Sequence, residues 1–209
     1  SIVGGADAVK FTIDASTGAL SFISAPDYES PTDAGGNNVY DVKVQVSDGI
    51  LTDTQDIAVT VTNVNEAPVI TSNDGGTTAA VNVAENSTSV TTVTSTDVDA
   101  GATATYSIVG GADAAKFTID ASTGALNFVS APDYESPTDA GGNNVYDLTV
   151  RVSDGLGGTD TQAIAVTVTN VNEAPVITSN GGGATAIPIN VAENSTAVTT
   201  VTSTDVDAG

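Results

Sequence analysis

Short runs in which apolar and polar residues alternate with period two dominate the chain. In YDVKVQVSD, Tyr40, Val42, Val44 and Val46 alternate with Asp41, Lys43 and Gln45. Ile57, Val59 and Val61 alternate with Asp56, Ala58 and Thr60. Such alternation predicts strands with one buried face. Phe117 and Ile119, then Leu126 and Phe128, flank Asp-Ala-Ser-Thr-Gly, which predicts a hairpin with Gly124 at positive φ. No segment shows a sustained helical period, although one helical turn fits near Asp113–Lys116.

The pattern then repeats. The stretch that begins SIVGGADAVKFTIDASTGAL at Ser1 returns nearly unchanged at Ser107, VTVTNVNEAPVITSN at Val59 returns at Val166, and VAENST at Val83 returns at Val191. The offset grows from 106 (107 − 1) to 107 (166 − 59) to 108 (191 − 83) through two one-residue insertions, one after the SDG turn and one between Asn73 and Val83. Tolerated insertions mark surface loops. A unit of this length is too long for a helical solenoid repeat and suits one β-sandwich of about seven strands. Pro68 and Pro175 follow NVNEA in both copies and read as boundaries. The expected organisation is residues 1–67 as the later part of one repeat without its first strands, 68–174 as a complete repeat, and 175–209 as the opening strands of another. The missing strands are expected either from a longer array or from another copy of the chain, whose strands would complete a filament.

Composition narrows the function. The 26 acidic and 4 basic residues give a formal charge of −22, which opposes nucleic acid and anionic membranes as partners. There is no Cys and no His, which removes disulfides, thiolate chemistry, the usual transition-metal ligands and the Ser-His-Asp triad. No apolar run is long enough to span a bilayer. An apolar fraction of 40% in alternating runs still supports a core. All six Glu lie in repeated motifs: Glu29 and Glu135 in PDYE, Glu66 and Glu173 in VNEAP, Glu85 and Glu193 in VAEN. Oxygen-rich motifs at strand ends suit a hard cation such as Ca²⁺.

The motifs VAEN, DVDAG, KFTIDASTGAL, PDYE, YDVKVQVSDG and VTVTNVNEAP, in this order, resemble the cadherin repeat in its bacterial cadherin-like form. The resemblance implies an all-β chain of tandem seven-strand Greek-key β-sandwiches, cadherin- or immunoglobulin-like, in a head-to-tail array with Ca²⁺ at the junctions. Carried over position by position, it implies one junction built from Asp27, Glu29, Asn63, Asn65, Glu66, Asp97, Asp99 and Asp154. A second junction would use Glu85, Asp133, Glu135, Asn170, Asn172, Glu173, Asp205 and Asp207, while Asp48 would serve a preceding one. The chain departs from the family linker Asp-x-Asn-Asp-Asn-x-Pro. Its Asn-Val-Asn-Glu-Ala-Pro is one residue shorter and has one carboxylate fewer, and Thr103 stands where the family places Asn. The number of ions per junction is therefore open.

Asp120 in IDASTG reads as a turn former rather than a ligand, and so do Asp33 and Asp139 in the SPTDAGGNN loops. Tyr28 and Tyr134 are expected to pack near the junctions. The expected function is a calcium-stiffened structural repeat of an extracellular or cell-surface adhesin stalk or fibre, whose partners are neighbouring repeats of the same or another copy. The alternative is a module that binds carbohydrate or protein, which the absence of Trp and the few aromatics disfavour. An enzyme is not expected, because the carboxylate pairs recur at repeat ends instead of converging in one cleft.

Overall fold

A computed structural model describes residues 1–207. The chain divides into two compact units. The first comprises Ser1–Ala67 with Asp97–Ala102 and Leu156–Gly158; the second comprises Pro68–Thr96, Thr103–Gly155 and the residues from Thr159 onward. Ala208 and Gly209, which close the last DVDAG motif within the expected opening strands of a following repeat, lie outside the described residues.

The first unit holds β1 (Ile2–Gly4), β2 (Phe11–Ile13), β3 (Leu20–Phe22), β4 (Val39–Ser47) and β5 (Thr52–Thr60). The order β1-β4-β5 makes one antiparallel sheet, and β2 with β3 makes a hairpin. Phe11, Tyr40 and Val42 are buried, and Phe11 stacks on Phe22 at 4.5 Å with Tyr40 edge-on to Phe22 at 5.2 Å. Further along β4 the burial fades: Val46 is 69% exposed.

The second unit is a full sandwich. Its strands are β6 (Val69–Ile70), β7 (Thr78–Ala84), β8 (Ser89–Thr92), β9 (Ser95–Thr96), β10 (Thr105–Gly110), β11 (Phe117–Ile119), β12 (Ala125–Phe128), β13 (Val145–Ser153) and β14 (Thr159–Thr169). One sheet has the order β10-β13-β14-β7 and the other β11-β12-β8, seven strands in all; β6 and β9 add a two-stranded ladder. Every pairing is antiparallel except β14 with β7, which is parallel from Ala163↔Thr78 to Thr169↔Ala84. The alternation read from the sequence sets the core. Tyr146, Leu148, Val150 and Val152 of β13 and Ile164, Val166 and Val168 of β14 are all buried, packed with Phe117, Leu126 and Phe128 of the facing sheet. The aromatic trio recurs: Phe117 stacks on Phe128 at 4.5 Å and Tyr146 meets Phe128 edge-on at 5.2 Å. The Tyr146 hydroxyl accepts the Thr138 N–H at 3.1 Å, which satisfies its buried polar end.

The expected hairpin and helical turn are both present. Thr118 pairs with Asn127 across the hairpin, and a 3-10 turn covers Ala114–Lys116. Gly124 has φ +71°, and a Cβ there would lie 2.0 Å from the Val93 carbonyl oxygen. The glycine therefore serves two demands, the left-handed turn and the close approach of a neighbouring strand. Asp120 accepts from the N–H groups of Ser122 and Thr123, the turn role the sequence suggests. Asp139 accepts from the N–H groups of Asn143 and Asn144, and Asp33 does the same for Asn37 and Asn38. From Pro175 onward the only strands are β15 (Val176–Ile177) and β16 (Ser203–Thr204), paired antiparallel among the described residues.

Candidate metal centres

In the first unit, Asp27 anchors its own loop: its Oδ1 accepts the N–H of Glu29 at 3.0 Å and of Ser30 at 3.1 Å. This Asx turn fixes the backbone that carries Glu29. The extended linker after β5 supplies Asn63 and Glu66. Asn63 Nδ2 donates to Asp99 Oδ1 at 2.7 Å, and the Glu66 N–H donates to Asp99 Oδ2 at 2.8 Å. Asp97 Oδ1 accepts the Asp99 N–H at 2.9 Å, while Asp97 Oδ2 is buried with no donor. One carboxylate oxygen from each of Glu29, Glu66 and Asp99 falls within 4.8 Å of the others. Asn65 turns its amide to the Glu66 carbonyl.

The second unit carries two such groups that share a residue. Glu85, Asp133 and Glu135 lie within 4.8 Å of one another, and so do Glu135, Glu173 and Asp207. Glu85 is buried and uses both oxygens on backbone: Oε2 accepts the Tyr134 N–H and Oε1 the Val171 N–H, each at 2.8 Å. It thereby ties the PDYE loop to the linker after β14. Asp133 Oδ1 accepts the Ser136 N–H, Asn170 Nδ2 donates to Glu135 Oε1 at 2.9 Å, and Asn172 Nδ2 donates to the Glu173 carbonyl. Asp205 Oδ1 accepts the Asp207 N–H, and Asp207 Oδ2 accepts the Glu173 N–H at 2.6 Å. Glu173 Oε2 and Asp207 Oδ1 are buried without a donor.

These carboxylates repel. Desolvation, and after it the charges of Glu29, Asp99 and Asp27, push Glu66 above the ordinary glutamate value. Desolvation, then Glu85, Asp207 and Asp133, raises Glu135; desolvation, then Glu85, Asp207 and Glu135, raises Glu173. The chain's four basic residues, Lys10, Lys43, Lys116 and Arg151, lie outside the PDYE, VNEAP, VAEN and DVDAG motifs that supply these carboxylates. The three groups consist of carboxylate oxygens, and three buried carboxylate oxygens have no hydrogen-bond donor. Both features fit a hard divalent cation.

Asp154 stands in the second unit, buried at the end of β13, where its carbonyl accepts the Thr103 N–H; it belongs to none of the three groups. Tyr28 and Tyr134 are 41% and 37% exposed. Asn86, read from the sequence only as part of the VAEN motif, is also a site neighbour: at φ +63° it turns Nδ2 onto Glu173 Oε1 at 3.1 Å. Its recurrence in VAEN at Asn194 is the signal that could have pointed to this role.

Comparison with known proteins agrees with this architecture. Residues 79–171 match the family described as Cadherin domain. Human Protocadherin Fat 1 is 31% identical over 188 residues, 87% of this chain and 4% of that protein. Human CDH23 EC21-23 superposes with a TM-score of 0.60 at 20% identity, covering 100% of this chain and 68% of that one. Protocadherin gammaB7 EC3-6, solved as a cis-dimer, gives 0.56 at 24% identity, covering 100% and 52%. The chain thus spans only about 4% of the length of the curated relative.

Proposed function

Residues 79–171 match the Cadherin domain family, and from that match we propose that the chain is a calcium-stiffened structural repeat of an extracellular adhesin stalk or surface fibre, of the bacterial cadherin-like kind. In this reading residues 1–67 are the later part of one repeat, 68–174 a complete repeat and 175–209 the opening of another. Ca²⁺ binds at the junctions between them. One site takes Asp27, Glu29, Asn63, Asn65, Glu66, Asp97 and Asp99, with Asp154 contributed by the complete repeat. The other takes Glu85, Asp133, Glu135, Asn170, Asn172, Glu173, Asp205 and Asp207.

The observation that carries the proposal is the run Glu85, Asp133, Glu135, Glu173 and Asp207, in which Glu135 belongs to both groups. A carboxylate shared between two groups suits two neighbouring cations. Bound Ca²⁺ supplies positive charge that converts mutual repulsion into cross-linking. The protein contributes the geometry: Glu85 pins the PDYE loop to the linker, and Asp207 pins the linker's Glu173 to the DVD loop. A linker held at several points is stiff, and one whose carboxylates repel is loose. The function is mechanical and non-enzymatic, and the partners are other cadherin-like repeats. Among the described residues no helix is long and apolar enough to cross a membrane.

The test is a calcium titration by calorimetry, with melting temperature and small-angle scattering in Ca²⁺ and in chelator. Saturable binding, a higher melting temperature and a longer, stiffer scattering profile in Ca²⁺ are expected, because a ligand bound only by the folded state stabilises it. Identical behaviour in Ca²⁺ and chelator overturns the reading.

A further inference from the structure

Each unit carries a groove beside its aromatic trio, built wholly from its own residues. In the second unit the groove holds about 530 Å³ and is lined by Lys116, Phe128, Pro132, Ser136 and Tyr146 among others. In the first unit it holds about 420 Å³, and the matching residues Lys10, Phe22, Pro26, Ser30 and Tyr40 line it. Both volumes fall in the range of small-ligand sites, roughly 300–1,000 Å³.

The grooves hold hydrogen-bond donors that the protein does not use. Two of the chain's four basic residues, Lys10 and Lys116, stand at this one place in the repeat. Lys43 pairs with Asp56 at 3.2 Å, whereas Lys10 and Lys116 form no ion pair among the described residues. In a chain with 26 acidic residues that is a notable vacancy of partners. The second donor lies on the floor. Tyr146 is 1% exposed, and its hydroxyl already accepts the Thr138 N–H at 3.1 Å. Its other contact, Thr138 Oγ1, is 3.4 Å away, beyond the roughly 2.5–3.0 Å of an O–H···O bond. The phenolic proton therefore lacks a good acceptor. Tyr40 repeats the arrangement, with the Thr32 N–H at 3.2 Å and Thr32 Oγ1 at 3.5 Å. A buried donor without a good acceptor, bordering a groove, favours a ligand that supplies one.

The lining narrows the ligand. An ammonium on a flexible stem and a phenolic O–H select a negatively charged acceptor. Phe128 and Pro132 offer apolar surface, and Ser136 and Thr138 offer hydroxyls. Apolar C–H faces edged by hydroxyls are the surface of a pyranose ring. Asp133 also borders the groove and can accept a sugar hydroxyl. Its charge, and those of the acidic surroundings, repel a ligand with many anionic groups.

We propose that each groove binds one uronic acid residue of a polysaccharide in which uronate alternates with neutral sugar. The carboxylate takes the lysine ammonium and the tyrosine O–H, and the ring lies against the phenylalanine and the proline. Recognition of this kind needs a donor pair instead of a broad indole platform, so the absence of Trp does not oppose it. The proposed cations take no part in the contact.

The experiment is an amide NMR titration of the 209-residue chain in chelator, repeated in Ca²⁺. The probe is the disaccharide glucuronyl-β-1,4-glucose, compared with cellobiose, which has CH₂OH in place of the carboxylate, and with acetate. Saturable shifts confined to the two grooves, around 129–138 and 23–32, are expected in both media. Cellobiose and acetate should each bind at least about tenfold more weakly, the effect of losing a charge-assisted bond or the ring contacts. Lys10→Gln with Lys116→Gln should weaken the disaccharide by a similar factor, and Lys43→Gln, outside the grooves, should leave it unchanged. No shifts, shifts elsewhere, equal binding of cellobiose or acetate, or indifference to the lysine pair overturns the proposal. Binding seen only in Ca²⁺ would put the sugar on the cations and also overturns it. Groove binding in a chain with no calcium response would leave this site standing and remove the cation reading.

Discussion

The backbone N–H of Glu66 donates to Oδ2 of Asp99 at 2.8 Å, so one carboxylate holds the linker backbone and also faces the carboxylate of Glu66 itself. Asp97→Ala with Asp99→Ala removes this hold. The double variant is expected to lose calcium affinity at the first group by at least about tenfold, the size of effect that even an outer-shell partner produces. The sandwich core of the second unit contains neither residue. Calorimetric titration with far-UV circular dichroism checks both halves: an unchanged titration, or loss of all β-structure, contradicts the assignment.

Acidity should act on the cation-free protein in an unusual direction. Glu66, Glu135 and Glu173 sit above the ordinary glutamate value of 4.5, so the folded state holds their protons more tightly than the unfolded chain does. In chelator, stability is therefore lowest where all three are ionised and rises as pH falls through their raised values toward the ordinary one. Hydrogen bonds lower Asp14, Asp48 and Asp120 instead, first from Ser16, Leu51 and Thr123 respectively. Their contribution is present above the ordinary aspartate value of 3.8 and is lost as pH falls further. Melting temperature against pH in chelator is expected to peak on the acid side of neutrality. A steady fall from neutral pH downward rejects this.

Calcium bound as proposed would compete with the same protons. Its affinity should weaken as pH falls through the raised glutamate values, and binding just above that window should release protons. Titrations in buffers of different ionisation enthalpy measure the release; equal heats in all of them contradict it.

The two hairpin glycines should respond differently to the same change. Gly124→Ala adds a Cβ 2.0 Å from the Val93 carbonyl and is expected to destabilise the second unit by several kcal/mol. Gly18→Ala meets open space and bears only the penalty of positive φ, about 1 kcal/mol. Urea unfolding of the two variants compares them directly, and equal losses would show that the turn conformation alone matters.

Gln162 supplies another paired test. It is fully buried and donates to the carbonyls of Ser72 at 3.3 Å and Gly76 at 3.1 Å. Gln162→Leu leaves both carbonyls without this donor, a loss of about 1–3 kcal/mol. Gln55, its counterpart, is exposed, and Gln55→Leu should change the stability of the monomer by less than about 0.5 kcal/mol.

Local pattern disclosed much of this architecture. Alternation along Tyr146–Val152 and Ile164–Val168 placed the inward faces, because in a strand the side chain's direction depends only on parity. The turn at Asp120–Gly124 was legible for a similar reason: its hydrogen bonds span three residues or fewer. Gln162 and Asn86 were not legible in this way. Their partners lie 86 to 90 and 87 positions away, and no local periodicity encodes those contacts. The β6–β9 ladder is two residues long, too short for any period. The grouping of carboxylates came from motif order, since only the fold brings Glu85 to Tyr134 and Val171.

The parallel pairing of β7 with β14 imposes a schedule on synthesis. Thr78 meets Ala163 and Ala84 meets Thr169, so a ribosome must deliver almost the whole repeat before β7 finds its partner. Until then β7 lacks its sheet partner. Long-range closure of this kind is slow. A strand left unpartnered through that delay is open to mispairing. Hydrogen exchange on stalled nascent chains would reveal the schedule: protection of Thr78–Ala84 only after Thr169 has been made means the strand waits for β14, and protection before Thr159 has been made contradicts this.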